Sequence, residues 1–306
     1  MNEILVFGHK SPDTDTIISS IVMSNLQNKL GKNTKAVRLG ELSKETQYIC
    51  NKFNIEELEL IESVDEGTHV ILVDHNEFTQ SANGIEKAVI DMVVDHHRVC
   101  GFQTAEPLYY RAEPVGCTAT VIYKLYNENK VEIEEKYAAL MLSAIISDTL
   151  LFKSPTVTKE DIEAANTLAK IANIDINTYG LEMLKAGTDL SDLTADELVR
   201  IDSKEFEVAS LKIEVAQIST ASIEDMMERK ADIEVSMNKV IEEKNLSLFL
   251  VLITDILNSN SQIIALGKNA DLAERSFAVK LENNSAYVPG LVSRKKQVIP
   301  VLTKNI

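Results

Sequence analysis

Short runs of consecutive apolar residues alternate with stretches in which apolar positions recur every three or four residues, and the alternation persists through the first half of the chain. Ile4-Leu5-Val6-Phe7 is the first such run and predicts a buried strand. A polar loop follows, Gly8-His9-Lys10-Ser11-Pro12-Asp13-Thr14-Asp15. Then Ile17, Ile18, Ile21, Val22, Leu26 and Leu30 repeat at helical spacing, with Gly31 placed to end the helix. The same reading predicts strands over residues 36–39, 70–73 and 89–94, and helices over 44–51, 115–126, 134–147 and 159–171. Strand and helix in turn, joined by short loops, imply a mainly parallel sheet flanked by helices.

The pattern changes after Leu184. Residues 185–192 are small and polar and predict a linker around Gly187. Beyond them, residues 204–209 and 212–218 predict an antiparallel pair. One long amphipathic helix is expected next, with Ile223, Met226, Met227, Ile233, Met237, Val240 and Ile241 on one face. Strands are expected over 248–253 and 262–266. The fold class is therefore α/β in two domains: residues 1–186 around a mainly parallel sheet, then a smaller mixed-sheet α/β domain over 192–306. Neither an internal repeat nor a low-complexity stretch interrupts them.

Composition adds three constraints. The 306 residues carry 47 Asp and Glu against 31 Lys and Arg, a formal net charge of −16 that repels polyanions and disfavours nucleic acid as a partner. A small anionic substrate would meet the same repulsion and would need metal ions and a few local cations. Cys50, Cys100 and Cys117 are odd in number and lack metal-clip spacing, which suits free thiols in a reducing compartment. The start of the chain does not read as a signal peptide, and no apolar run approaches a membrane span of ~20 residues, so a cytoplasmic protein with no membrane partner is expected.

The chemistry gathers where strands end. His9, Asp13 and Asp15 follow the first strand. Asp74-His75-Asn76-Glu77 follows the run at 70–73, and Asp95-His96-His97 the run at 89–94. Asp148 ends the helix over 134–147. In an open parallel sheet, loops at the carboxyl ends of strands share one edge, and ligands bind there. Singly, each group has an ordinary explanation: Asp13 or Asp15 would cap a helix, an Asp at a strand end would shape a turn, and His96-His97 would be one packed and one solvated ring. Together they include four of the five His residues in the chain, at one sheet edge. Imidazole and carboxylate without thiolate suit manganese, cobalt, zinc or iron. Six such ligands exceed the needs of one ion and suit two ions that share an Asp and activate a water or hydroxide for phosphoryl transfer. Elsewhere, Pro114-Val115-Gly116-Cys117-Thr118 opens a helix whose amides could face the site. Ser293-Arg294-Lys295-Lys296-Gln297 places three consecutive cations in an acidic chain.

Taken in order, these motifs resemble those of the family II inorganic pyrophosphatases, members of the DHH phosphoesterase superfamily, over the whole chain. The resemblance implies that His9 and Asp13 hold one metal, that Asp15 and His96 hold the other, and that Asp74 and Asp148 touch both. It implies catalytic roles for Asp74, His97 and Asp148, and substrate phosphates held by His97, Lys204, Arg294 and Lys295. It implies Mn2+ or Co2+ as the resident pair, Mg2+ accompanying pyrophosphate, an active site in the interdomain cleft, and a cytoplasmic homodimer joined through the first domain. Asp74 and Asp95 stand too close in the chain for the nucleotide-sensing insertion that some relatives carry there. A related exonuclease or nucleotide phosphatase would carry a Gly-Gly-Gly-His-type segment in the second domain, and none is present. A non-enzymatic relative would more often have lost one of the shared carboxylates.

Overall fold

A computed structural model describes residues 3–208 and 211–305, and its contacts divide the chain into two units, Met1–Gly187 and Thr188–Ile306. In the first unit β1 (Ile4–Phe7) leads to α1 (Thr14–Lys29), β2 (Thr34–Arg38), α2 (Lys44–Lys52), β3 (Glu59–Leu60), β4 (His69–Val73), β5 (Val89–Asp95) and β6 (Tyr109–Ala112). Four helices follow: α3 (Thr118–Glu128), α4 (Glu135–Asp148), α5 (Lys159–Ala172) and α6 (Ile176–Gly187). The six strands run in the order β3-β2-β1-β4-β5-β6, and every pairing is parallel. Parallel sheets need both faces covered, which explains why the strands read as unbroken apolar runs. Phe7, Val37, Val70, Leu72, Ile90 and Val93 form a core with Val64, Ala82 and Ile85 of the connections. Helix α1 packs on β1 and β4, and α3 on β5.

The second unit opens with α7 (Ala195–Leu198), then β7 (Ser203–Val208), β8 (Leu211–Thr220), α8 (Ile223–Met227), α9 (Lys230–Lys244), β9 (Leu248–Asp255) and β10 (Asn260–Leu266). It closes with α10 (Asp271–Phe277), β11 (Ser285–Val288) and, after a π-helical turn at Arg294–Val298, α11 (Ile299–Lys304). Its five strands run β11-β10-β9-β8-β7, with β8 and β9 parallel and the other pairs antiparallel. Strand β9 is buried on both faces. Leu248, Leu250 and Leu252 meet Leu272 and Leu302, while Phe249, Val251 and Ile253 meet Ile233, Met237 and Val240.

Four expectations change. The helix expected over 115–126 begins at Thr118, because Val115 and Gly116 spend their backbone groups on His96 and Asp161 and Cys117 is extended. The helix expected from Ile223 to Ile241 is two helices. No apolar side chain larger than Ala231 stands between Met227 and Ile233, and the Arg229 guanidinium bonds to the carbonyls of Leu190 and Leu193. Of the expected linker, Lys185, Ala186 and Gly187 belong to α6. A Cβ at Gly187 would stand 2.9 Å from the Glu45 Cβ, so close packing accounts for that glycine. Leu39 lies beyond β2; Ala209, expected to end a strand, lies outside the described residues. The π-helical turn and the short strands β3, β6 and β11 carried no pattern of their own.

No described helix is long and apolar enough to cross a membrane. Because β9 is packed from both sides, Leu250→Ala should lower the free energy of unfolding by about 2–5 kcal/mol in urea denaturation. Leu60→Ala, on the exposed edge strand β3, should change it by less than about 0.5 kcal/mol.

Candidate metal centre

Strand β1 has β2 and β3 on one side and β4, β5 and β6 on the other, so the strand order reverses between β1 and β4. Open α/β sheets leave a crevice for ligands at this point. His9 leaves the end of β1. Asp13 caps α1, accepting from the Thr16 amide at 3.0 Å, and Asp15 sits buried in the first turn. Asp74 follows β4 with a left-handed backbone, φ +59°, a conformation that Asp adopts more readily than most residues and that collects at functional sites. Asp95 is the last residue of β5, with His96 and His97 beyond it, and Asp148 is the last residue of α4.

Ligand-type atoms of these side chains converge in three overlapping groups: His9, Asp13 and Asp74; Asp15, His96 and Asp148; and Asp74, His96 and His97. His9 Nε2 lies 3.5 Å from Asp13 Oδ2 and 3.5 Å from Asp74 Oδ2. His96 Nε2 lies 3.4 Å from Asp74 Oδ1 and 3.8 Å from Asp148 Oδ2. One oxygen of Asp74 thus faces each imidazole. His97 Nδ1 lies 3.6 Å from Asp74 Oδ1, but its nearer partner is Asp95 Oδ1 at 2.9 Å, and its ring is half exposed.

Two imidazoles are oriented from behind. His9 Nδ1 meets the Lys10 carbonyl at 2.8 Å and His96 Nδ1 the Val115 carbonyl at 3.0 Å. A carbonyl only accepts, so each Nδ1 carries a proton, and in the neutral ring that leaves the Nε2 lone pair for a cation. Metal-binding histidines are held in this way. The acids are braced by neutral donors. Asp74 accepts from the Thr16 hydroxyl at 2.6 Å and the Thr118 hydroxyl at 3.0 Å. Asp15 accepts from Ser19 at 2.7 Å and from the Thr118 and Ala119 amides at 2.6 and 3.2 Å. The amides at the start of α3 are therefore directed at Asp15.

Without a cation the cluster is electrostatically frustrated. Burial, then the Asp74 charge, pushes Asp15 up to about 7; burial, then Asp15 and Asp74, pushes Asp148 well above the usual carboxylate range. Asp74 moves the other way: burial opposes its charge, but hydrogen bonds from His9 and His96 outweigh burial and hold it well below that range. Burial would depress His9 and His96, yet the hydrogen bonds to Asp13 and Asp74 raise His9 to about 11, and that to Asp74, with the Asp15 charge, raises His96 to about 9. The imidazoles are recruited as cations because acids crowd around them. Hard oxygen donors, two preset Nε2 atoms and excess negative charge fit divalent cations of the manganese type.

The other named residues lie in the second unit. Lys204 is on β7 and Lys295 in the π-helical turn, both exposed. Arg294 is only 10% exposed. Its guanidinium donates to the Asp202 carbonyl and, at 2.8 Å, to Asp202 Oδ1. Asp202 and Asp161 escaped sequence reasoning because their partners are remote in the chain, whereas the Thr118 amide faces the site as its segment suggested. Asp95, part of the third motif, accepts from the His96 and His97 amides and from Asn76, and so shapes the turn that carries both rings. His75, in the second motif, is buried with Nδ1 on the Val73 carbonyl and Nε2 unpaired.

Comparison with known proteins gives a consistent picture. Residues 3–145 match the N-terminal domain of the DHH family, and residues 181–305 match the DHHA2 domain. A manganese-dependent inorganic pyrophosphatase of Bacillus subtilis is 56% identical over 99% of this chain and 98% of its own. A Bacillus velezensis protein, named a probable manganese-dependent inorganic pyrophosphatase, is 56% identical over 100% of this chain and 99% of its own. A crystal structure from Methanococcus jannaschii, described as a candidate family II inorganic pyrophosphatase, is 39% identical with a TM-score of 0.61, covering 99% of each chain.

The crowding links the response to metal with the response to mutation. Manganese at a hundredfold excess over its dissociation constant should raise the unfolding free energy by about 2.7 kcal/mol per ion, seen as a higher Tm that a chelator reverses. Asp148→Asn should raise the Tm of the metal-free protein and shrink the manganese-induced shift. A Tm indifferent to both manganese and chelator would show that the cluster holds no such cation.

Proposed function

Because the chain belongs to the family II, manganese-dependent inorganic pyrophosphatases of the DHH superfamily, we propose that it hydrolyses inorganic pyrophosphate to two phosphates at the His–Asp cluster of the first unit. The observation that carries this reading is Asp74, whose two oxygens face two separate imidazoles, His9 with Asp13 beside it and His96 with Asp15 and Asp148. One such carboxylate between two ligand groups suits a pair of cations. His9 and Asp13 would hold one, Asp15 and His96 the other, and Asp74 and Asp148 would contribute to both. When bound, Mn2+ or Co2+ would supply Lewis acidity toward the phosphoryl oxygens and make water nucleophilic at neutral pH, with Mg2+ arriving on the substrate.

The side chains then divide the remaining work. Asp74 and Asp148 concentrate negative charge where the cations sit. His9 and His96 hold their Nε2 lone pairs in place through Nδ1 bonds to carbonyls. His97 keeps Nδ1 on Asp95, a bond that raises its pKa against the opposing effect of burial and with the help of the Asp74 charge, and its Nε2 would serve a substrate phosphate. Lys204, Arg294 and Lys295 neutralise phosphate oxygens from the second unit, offsetting the repulsion of an acidic chain. Arg294 must exchange Asp202 for phosphate to do so. A cytoplasmic homodimer joined through the first unit completes the proposal. It is supported by β6, which ends its sheet with Tyr109 exposed.

Phosphate release should be rapid from pyrophosphate and slight from phosphomonoesters, short RNA and adenosine bisphosphate. Chelation should abolish it and manganese or cobalt restore it; full activity in a metal-free sample refutes the reading. Asp74→Asn should lower turnover by orders of magnitude, whereas His97→Asn should slow turnover with both metals retained.

The two units yield a separate expectation. Arg294→Ala or Lys295→Ala should cost ~100–1,000-fold in rate, as loss of one donor to developing charge does, with manganese affinity near parental. Residues 1–186 expressed alone should bind manganese and hydrolyse pyrophosphate poorly. Parental turnover by that fragment would remove the second unit from the mechanism.

A further inference from the structure

Three of the proposed ligands lean on a single turn, the one that opens α3. The Val115 carbonyl accepts from His96 Nδ1 at 3.0 Å. The Thr118 and Ala119 amides donate to Asp15, and the Thr118 hydroxyl donates to Asp74. A shift of this turn would move His96, Asp15 and Asp74 together.

The turn is clamped from its far side by Asp161 in the first turn of α5. The Asp161 carboxylate is fully buried and accepts four hydrogen bonds. Two come from Thr158, its amide at 2.8 Å and its hydroxyl at 2.7 Å; the amide bond, with the Asp161 amide donating back to the Thr158 hydroxyl at 3.3 Å, closes the capping box of α5. The other two cross to another element: the Gly116 amide at 2.8 Å and the Thr120 hydroxyl at 2.6 Å. A helix cap requires only bonds to Thr158. The second pair brackets Thr118 and Ala119, the residues that hold Asp15. The approach is close enough to require glycine, since a Cβ at Gly116 would stand 2.8 Å from Asp161 Oδ2. All four donors are neutral, so hydrogen bonding alone satisfies the buried carboxylate oxygens, and losing part of that set is costly.

We propose that Asp161 is a positioning residue of the metal centre. Its carboxylate holds the entry turn of α3 in register, so that His96 Nε2, Asp15 and Asp74 are preset to receive a cation that Asp161 does not touch. The inference rests on the manganese reading above.

The test is manganese binding without substrate, by calorimetry and by electron paramagnetic resonance of free and bound Mn2+, on the full chain. Asp161→Asn turns a donor toward groups that donate. Thr120→Val removes only one hydroxyl and preserves the branched shape. Thr158→Ala breaks the α5 cap and leaves the Gly116 and Thr120 bonds in place. Asp161→Asn should weaken one of two manganese equivalents ~10–100-fold, the usual effect of losing a partner behind the ligands. Thr120→Val should move the same equivalent in the same direction by less. Thr158→Ala should lower the Tm yet bind both equivalents as the parent does. Should Asp161→Asn fail to fold, Thr120→Val against Thr158→Ala carries the comparison. Parental manganese affinity in the folded Asp161 and Thr120 variants overturns the inference, as does a Thr158→Ala loss equal to theirs. A parent protein that binds no manganese overturns the manganese reading itself, and the inference with it.

Discussion

Carboxylates gathered out of water at one end of a sheet are the constraint on which the first unit depends. Asp15 and Asp74 are almost wholly buried, Asp148 is largely so, and Asp13 lies beside them. Each alone would be an expensive group to bury; together they repel. The chain tolerates the cluster by surrounding it with neutral donors and with imidazoles whose outer nitrogens are already committed to carbonyls. That solution stabilises the acids with imidazoles that can exchange a proton for a divalent cation. A lysine placed among them would be better for stability and would close the site.

The parallel sheet supplies the location. Loops leaving β1, β4 and β5 emerge on one edge, and the reversal of strand order between β1 and β4 leaves room for side chains from both directions. Helices complete the enclosure. The N-terminal amides of α3 meet Asp15, where a helix terminus favours negative charge, and the last residue of α4 contributes Asp148. The second unit has a different balance. Its sheet is packed on both faces by aliphatic residues, and its conspicuous cations lie in the π-helical turn near the end of the chain. There Arg294 is paired with Asp202, so the unit keeps its buried cation neutralised internally.

Periodicity in the sequence determined much of this protein. Apolar runs placed β1, β4, β5 and β9, because strands buried on both faces must be apolar throughout. Helical spacing placed α1, α4 and α5, whose inner faces are continuous. The same logic put His9, Asp13, Asp15, Asp74, His96, His97 and Asp148 at strand and helix ends, and the motifs they form carried the family. Each of these signals is local: a few neighbouring residues suffice to read it.

What only the tertiary structure decided depends on pairs remote in sequence. The amphipathic pattern from Ile223 to Ile241 did not reveal the break at Arg229, whose partners lie at Leu190 and Leu193. Residues 115–117 did not join α3, because their backbone groups serve His96 and Asp161 or extend as a cap. Arg294 read as a cation for substrate, and folding brought Asp202 against it. Asp161 drew no reading beyond lying in the helix predicted over 159–171, and folding set it behind the turn that supports Asp15, Asp74 and His96. A hydrogen bond is specified by the meeting of two groups in space, whereas periodicity is specified along the chain. The candidate ligands and the strands that bear them were therefore legible from the sequence, and the side chains that brace those residues became so only once the chain was folded.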